Sequence, residues 1–117
     1  MDSTTAKHFA DQWIAAWNNH DIESIMAHYA EDIVFNSPFI PLLKFNETGI
    51  ITNKHDLRRY FEIGLKAYPE LYFDLQGIYA GISTLAIHYK SVNNRIAVEV
   101  FELNEEGKAV KVFCNYA

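Results

Sequence analysis

Glu99 is the residue of this chain best placed to do chemistry. On an extended segment its same-face neighbours are Ala97 and Phe101, because side chains alternate with a period of two along a strand. A carboxyl facing an apolar cavity holds its proton to higher pH and can serve as acid, base or ligand anchor. It can also pair with a nearby hydroxyl or basic group and only shape the cavity, so both roles stay open. His88 lies on the strand facing the same hairpin, and a histidine–carboxylate pair suits proton transfer near neutral pH. Ile87 and Tyr89 alternate with His88, so it serves the site only if it, and not they, points inward.

Other candidates are walls rather than reagents. Trp13, Trp17, Tyr29, Phe35, Tyr60, Phe101 and Tyr116 can line an apolar pocket or fill the core. Cys114 alternates with Val112 and Tyr116, which places it beside a cavity or leaves it a buried, inert thiol. Ser37 precedes Pro38 at the end of a short apolar run. His28, between Ala27 and Tyr29, reads as a partly buried histidine; His8, His20 and His55 read as surface residues or helix ends. No His-Glu-x-x-His spacing, Cys–His ligand set, glycine-rich phosphate loop, nucleophile elbow or dinucleotide fingerprint is present. The expectation is therefore no metal, nucleotide or flavin cofactor.

The elements that must hold these residues fit one domain, since 117 residues are enough for one and too few for two. Half of the chain is hydrophobic, enough for a core without disulfide staples. The single cysteine excludes an intrachain disulfide and fits a reducing compartment. Net charge is −5, and the scattered Lys and Arg form only one doublet, Arg58-Arg59, which argues against a nucleic-acid or anionic-membrane partner. The first residues lack the basic start and apolar run of a signal peptide, and no apolar stretch is long enough to span a membrane. A cytoplasmic location is expected.

Residues 3–18 are predicted helical, with Phe9, Trp13, Ala16 and Trp17 on one stripe beside Ala6 and Ala10, and with Asp2 or Ser3 as cap. Asn18-Asn19-His20 breaks this helix and Asp21 caps a second, whose apolar face is Ile22, Ile25, Met26 and Tyr29. A short strand, 32–36, stops at Ser37-Pro38. The apolar, irregular stretch 38–52 must pack on something, either a pocket mouth or a subunit contact. Asn53 caps a third helix carrying Leu57, Tyr60, Phe61, Gly64 and Leu65. Strands near 71–79, 82–90, 95–103 and 109–116 follow, with connections short enough to make antiparallel hairpins. In the last of these, Val110, Val112, Cys114 and Tyr116 are expected on one face. Val98 and Val100 oppose Ala97, Glu99 and Phe101, so both faces of the sheet carry apolar groups. Either a homodimer covers the outer face or the sheet curls over itself.

This order of elements, with the wording of Gln12–Pro38, Lys54–Phe61 and Val98–Lys108, resembles the nuclear-transport-factor-2-like superfamily in its SnoaL-like and ketosteroid-isomerase-like branch. The resemblance spans nearly the whole chain. It implies an α+β, cystatin-like cone: a strongly curved antiparallel sheet wrapped around N-terminal helices, with a cavity at the open end and a homodimer through the sheet's outer face. Ketosteroid isomerases place an Asp base before the proline that ends the first strand, a Tyr on the first helix and a second acid on a late strand. The matching positions here hold Ser37, Trp13 and Glu99. A serine without an activating neighbour is no base near neutral pH, and an indole N–H donates but cannot shuttle a proton. Steroid-type isomerisation is therefore not expected.

The sequence supports a small-molecule-binding protein with an apolar cavity for an apolar or partly oxygenated organic molecule. A cofactor-independent lyase, isomerase or cyclase-like enzyme using Glu99 and His88 fits that description. A ligand binder without catalysis and a protein-interaction module on the same fold remain the alternatives.

Overall fold

Three side-chain caps start the three main helices. In the computed structural model, which describes residues 1–117, Asp2 accepts from the Thr5 N–H at 2.7 Å to open α1 (Ser3–Asn18). Asp21 accepts from Ser24 N–H at 3.2 Å and opens the short α2 (Ile22–Met26). Strand β1 (Tyr29–Asn36), a turn of helix α3 (Phe39–Leu42) and the two-residue β2 (Ile50–Ile51) follow. Asn53 then accepts from Asp56 N–H at 2.8 Å and opens α4 (Lys54–Ala67). Each cap satisfies a backbone donor that has no partner inside its helix. The chain ends in β3 (Asp74–Ala80), β4 (Thr84–Lys90), β5 (Ile96–Leu103) and β6 (Ala109–Tyr116).

The six strands form one sheet in the order β2-β1-β6-β5-β4-β3. β3 to β6 are an antiparallel meander, as their short connections require. β1 instead lies parallel to β6, so the sheet is mixed rather than wholly antiparallel. No hairpin ties those two strands, and the long intervening chain can return in either direction. β1 also starts earlier than the sequence pattern suggests: Tyr29, expected on the helix face, is the first strand residue and pairs with Ala109.

A bulge decides one further orientation. Glu102 pairs with Lys111 but Leu103 with Ala109, which leaves Val110 as the extra residue. Ala109 takes the buried place expected of Val110.

α1 lies on the inner face of the meander. Its Trp13 ring stacks on Phe73 at 5.5 Å and meets Tyr89 and Phe101 edge-on, while Phe9 meets Phe101. α4 closes the other side, where Phe61 packs against Trp17, Tyr29 and Phe35. Full burial of such side chains stabilises by roughly 1.5–3 kcal/mol each. Along β4, Leu85, Ile87 and Tyr89 are buried while Ala86, His88 and Lys90 face outward. Much of the apolar stretch 38–52 packs within the domain, while Leu42 and Ile50 stay exposed. Phe39 packs edge-on against Tyr116 at 4.7 Å, the Arg95 guanidinium lies over both rings, and Phe45 packs on Tyr60.

Candidate active site

β4, β5 and β6 each bring one inward position to the same end of the sheet. Glu99 on β5, Tyr89 on β4 and Tyr116 on β6 meet Ser37 from the end of β1 and Tyr60 from α4. Around them Trp17, Phe35, Phe39, Phe61 and Phe73 form an apolar wall. The space between them is about 80 Å³, well above the volume of roughly 10–15 Å³ that one water needs and below that of pockets for drug-sized ligands. The pocket as it stands admits a small group.

Glu99 is only 5% exposed. Its Oε1 accepts from the Tyr89 hydroxyl at 2.5 Å, and Cys114 lies opposite it on β6. No Lys or Arg forms an ion pair with it. Burial raises its pKa to about 7, and the Tyr89 hydrogen bond and the nearby Cys114 thiol only partly offset that rise. Burial also pushes the phenols of Tyr60, Tyr89 and Tyr116 upward, so they stay protonated as hydrogen-bond groups. The Cys114 thiol moves up for the same reason and is held in its unreactive form. Glu99 is therefore the one group of the pocket poised to exchange a proton near neutrality.

Ser37 is buried beside Tyr60 and Cys114, and its Oγ accepts from the Phe39 N–H at 3.2 Å. That bond fixes the turn into α3. Neither a histidine nor a carboxylate hydrogen-bonds to the hydroxyl to activate it as a base.

The structure brings Glu99, Ser37, Trp17, Phe35, Tyr60 and Tyr116 into one pocket; Cys114 is buried opposite Glu99 on β6 and does not line it. Three expected wall residues are core instead. Trp13 donates through Nε1 to the Tyr29 hydroxyl at 2.9 Å, and neither residue reaches the pocket; Phe101 is buried beneath them. The Trp13 stripe of α1 meets the middle of the sheet, where Phe73, Tyr89 and Phe101 fill the space. The Trp17 N–H sits near the same Tyr29 hydroxyl without the geometry of a hydrogen bond.

His88 does not join Glu99. The β4–β5 ladder pairs Glu99 with Ile87 and His88 with Val98, so the imidazole lies on the outer face near the Tyr79 ring. Tyr89, which sequence reasoning missed, is the residue of β4 that partners Glu99, as a hydrogen-bond donor rather than a proton shuttle. The β4–β5 register, which the pairing of the two strands sets, puts odd positions of β4 on the face of Glu99. Phe39, Phe61 and Phe73 were also missed, because they reach the pocket from three separate elements. No three His, Cys, Asp or Glu side chains converge into a metal-ligand set, and no helix is long and apolar enough to cross a membrane.

The family model of the SnoaL-like domain matches residues 10–112. The chain belongs to the SnoaL-like family. It is similar throughout to a SnoaL-like protein of unknown function from Burkholderia thailandensis, with 32% identity and a TM-score of 0.94, covering 100% of this chain and 98% of that one. It also resembles a proposed isomerase of the SnoaL-like family from Agrobacterium tumefaciens at 18% identity and a TM-score of 0.77, covering 97% of this chain and 98% of that one. An epoxide hydrolase/cyclase-like enzyme of pyran ring formation in the polyether salinomycin aligns at 19% identity and a TM-score of 0.77, covering 99% and 93%. The last two are likenesses of fold alone. A search of curated proteins returns no significant sequence match. The SnoaL-like domain thus has the α+β, nuclear-transport-factor-2-like architecture expected from its sequence.

Proposed function

We propose that this SnoaL-like domain binds a small, partly oxygenated organic molecule and carries out cofactor-independent proton transfer on it, of the isomerase, lyase or cyclase type. The observation that supports this most is Glu99, a buried carboxyl with a pKa near 7 and no cationic partner, at the wall of an apolar pocket. Protonated, it can donate to a carbonyl or ether oxygen; ionised, it can remove a proton from carbon or oxygen. The Tyr89 hydroxyl orients it. The structural neighbours described as a proposed isomerase of the SnoaL-like family and as an epoxide hydrolase/cyclase-like enzyme share the fold and are consistent with such chemistry.

The test is a thermal-shift screen of enones, lactones, epoxides and phenols, followed by turnover assays on each hit. A ligand at a hundred times its dissociation constant adds about 2.7 kcal/mol of stability. Loss of turnover with retained binding in Glu99→Gln supports the assignment, whereas unchanged turnover removes Glu99 from it. Binding without turnover between pH 5 and 9 favours a non-catalytic ligand binder. That second reading draws on Ser37, whose position before Pro38 offers no base. The interaction-module reading keeps only part of its motive: Phe39, Leu43 and Phe45 pack against the core, while Leu42 and Ile50 of the same stretch stay exposed.

Assembly as a homodimer through the sheet's outer face belongs to the same proposal. Val98 and Val100 lie there beside Phe113, 46% exposed, and Tyr79, 59% exposed. Light scattering should give twice the chain mass, falling to one chain mass in Phe113→Glu; a single-chain mass for the wild type removes the dimer. The lone buried Cys114 fits a reducing, cytoplasmic setting.

A further inference from the structure

A second hollow adjoins the pocket. It lies between the connection from α4 to β3 (67–72) and the turn from β4 to β5 (91–94), with a volume of about 460 Å³. Tyr68, Leu71, Ser91 and Val92 line both spaces, so the two lie side by side across those residues.

The chemistry changes across that boundary. The inner pocket is aromatic with one acid. The outer hollow holds Glu70, Tyr72, Asn93 and Asn94, whose side chains make no hydrogen bond or ion pair within the chain. Tyr72 keeps its ring 65% exposed at this edge. Asn93 and Asn94 have φ of 57° and 59°, the left-handed region that asparagine tolerates better than most residues. The bonds Ser91 N–H to Arg95 O at 2.6 Å and Arg95 N–H to Val92 O at 3.2 Å staple the turn. Both amides are therefore presented by a defined turn.

An open tyrosine face beside two amides and a carboxylate suits a neutral ring rich in hydroxyls. The C–H face of such a ring covers the phenol, its hydroxyls donate to Glu70, and the amides both donate and accept. An anion is disfavoured, because the lining has no Lys or Arg and includes Glu70. We propose that the outer hollow is a sugar or cyclic-polyol subsite, and that the ligand of this domain is a small apolar, oxygen-bearing group carrying such a ring. This rests on the inner pocket being the binding site for the apolar part.

Phenol, the phenyl β-glucoside, β-galactoside and α-mannoside, and the three corresponding methyl glycosides test it, titrated against the ¹⁵N-labelled protein. At least one phenyl glycoside should bind about tenfold more tightly than phenol, and its methyl counterpart should shift amides only around 70–72 and 91–94. Tyr72→Ala should bring that glycoside to the affinity of phenol and leave phenol binding unchanged. Equal affinities for phenol and all three phenyl glycosides overturn the subsite while the inner pocket stands. The subsite is likewise overturned if Tyr72→Ala weakens phenol and glycoside alike. Glycoside shifts at the turn with no phenol shift around Glu99 overturn the inner pocket, and the two-part ligand with it.

Discussion

Tyr89 and Glu99 are diagonal neighbours on the inner face of the β4–β5 ladder, one rung apart, and the phenol donates to Oε1 across 2.5 Å. Diagonal positions are within reach of long side chains. The pair therefore needs only the hairpin register and the right parity. It holds the single group of the pocket that titrates near neutrality.

Folding should depend on pH through Glu99. Its carboxyl has a pKa of about 7 in the fold against 4.5 for the ordinary group. A raised folded pKa contributes stability that is fully present below pH 4.5 and is lost as pH rises through 7. Glu99→Gln does not titrate, so its stability relative to wild type should improve from pH 4.5 to pH 8 by on the order of 3 kcal/mol. Urea denaturation at the two pH values measures this, and an equal difference at both would show that Glu99 is not perturbed.

Tyr89→Phe should move the Glu99 titration further upward. The phenol bond favours the carboxylate form, and its removal leaves burial less opposed. The carboxyl ¹³C chemical shift followed against pH reads the midpoint directly. A midpoint that stays or falls would mean that the hydrogen bond does not act on the charged form.

His88→Ala should change little. The imidazole sits on the outer face, across the ladder from Val98, so the Glu99 midpoint should be unmoved and stability altered by less than about 0.5 kcal/mol in the single chain. A shifted midpoint would place His88 in contact with the pocket.

Trp13→Phe should destabilise the domain by about 2–4 kcal/mol, combining a partial cavity with the loss of the only hydrogen bond to the buried Tyr29 hydroxyl. Combined with Tyr29→Phe, the cost should fall below the sum of the single costs by about 1 kcal/mol. Additive costs in thermal or urea unfolding would show that the bond carries no net energy.

Much of the fold was legible because its signals are local. Asp21 and Asn53 stand before apolar stripes and cap the helices they were expected to start, and of the two candidates Asp2 and Ser3 it is Asp2 that caps the first. The four late strands follow from alternation and short connections. Of the site, Glu99 was legible from its apolar neighbours, Ser37 from the position it takes in the family pattern, and Tyr60 from the apolar face of its helix. Trp13 was misplaced as a pocket wall because burial on α1 looks the same whether a ring meets a cavity or the sheet.

The sequence by itself determined which residues share a face along each helix and strand, since that depends only on period. It determined that a carboxyl would sit among apolar groups. Only the tertiary structure decided the parity that turns Tyr89 inward and His88 outward, because that requires pairing two strands. It alone decided the parallel docking of β1 on β6, which brings Ser37 toward Cys114 and Glu99 from the far end of the chain. And it alone gave Glu99 its pKa, since desolvation arises when α1, α4 and three strands close around one carboxyl.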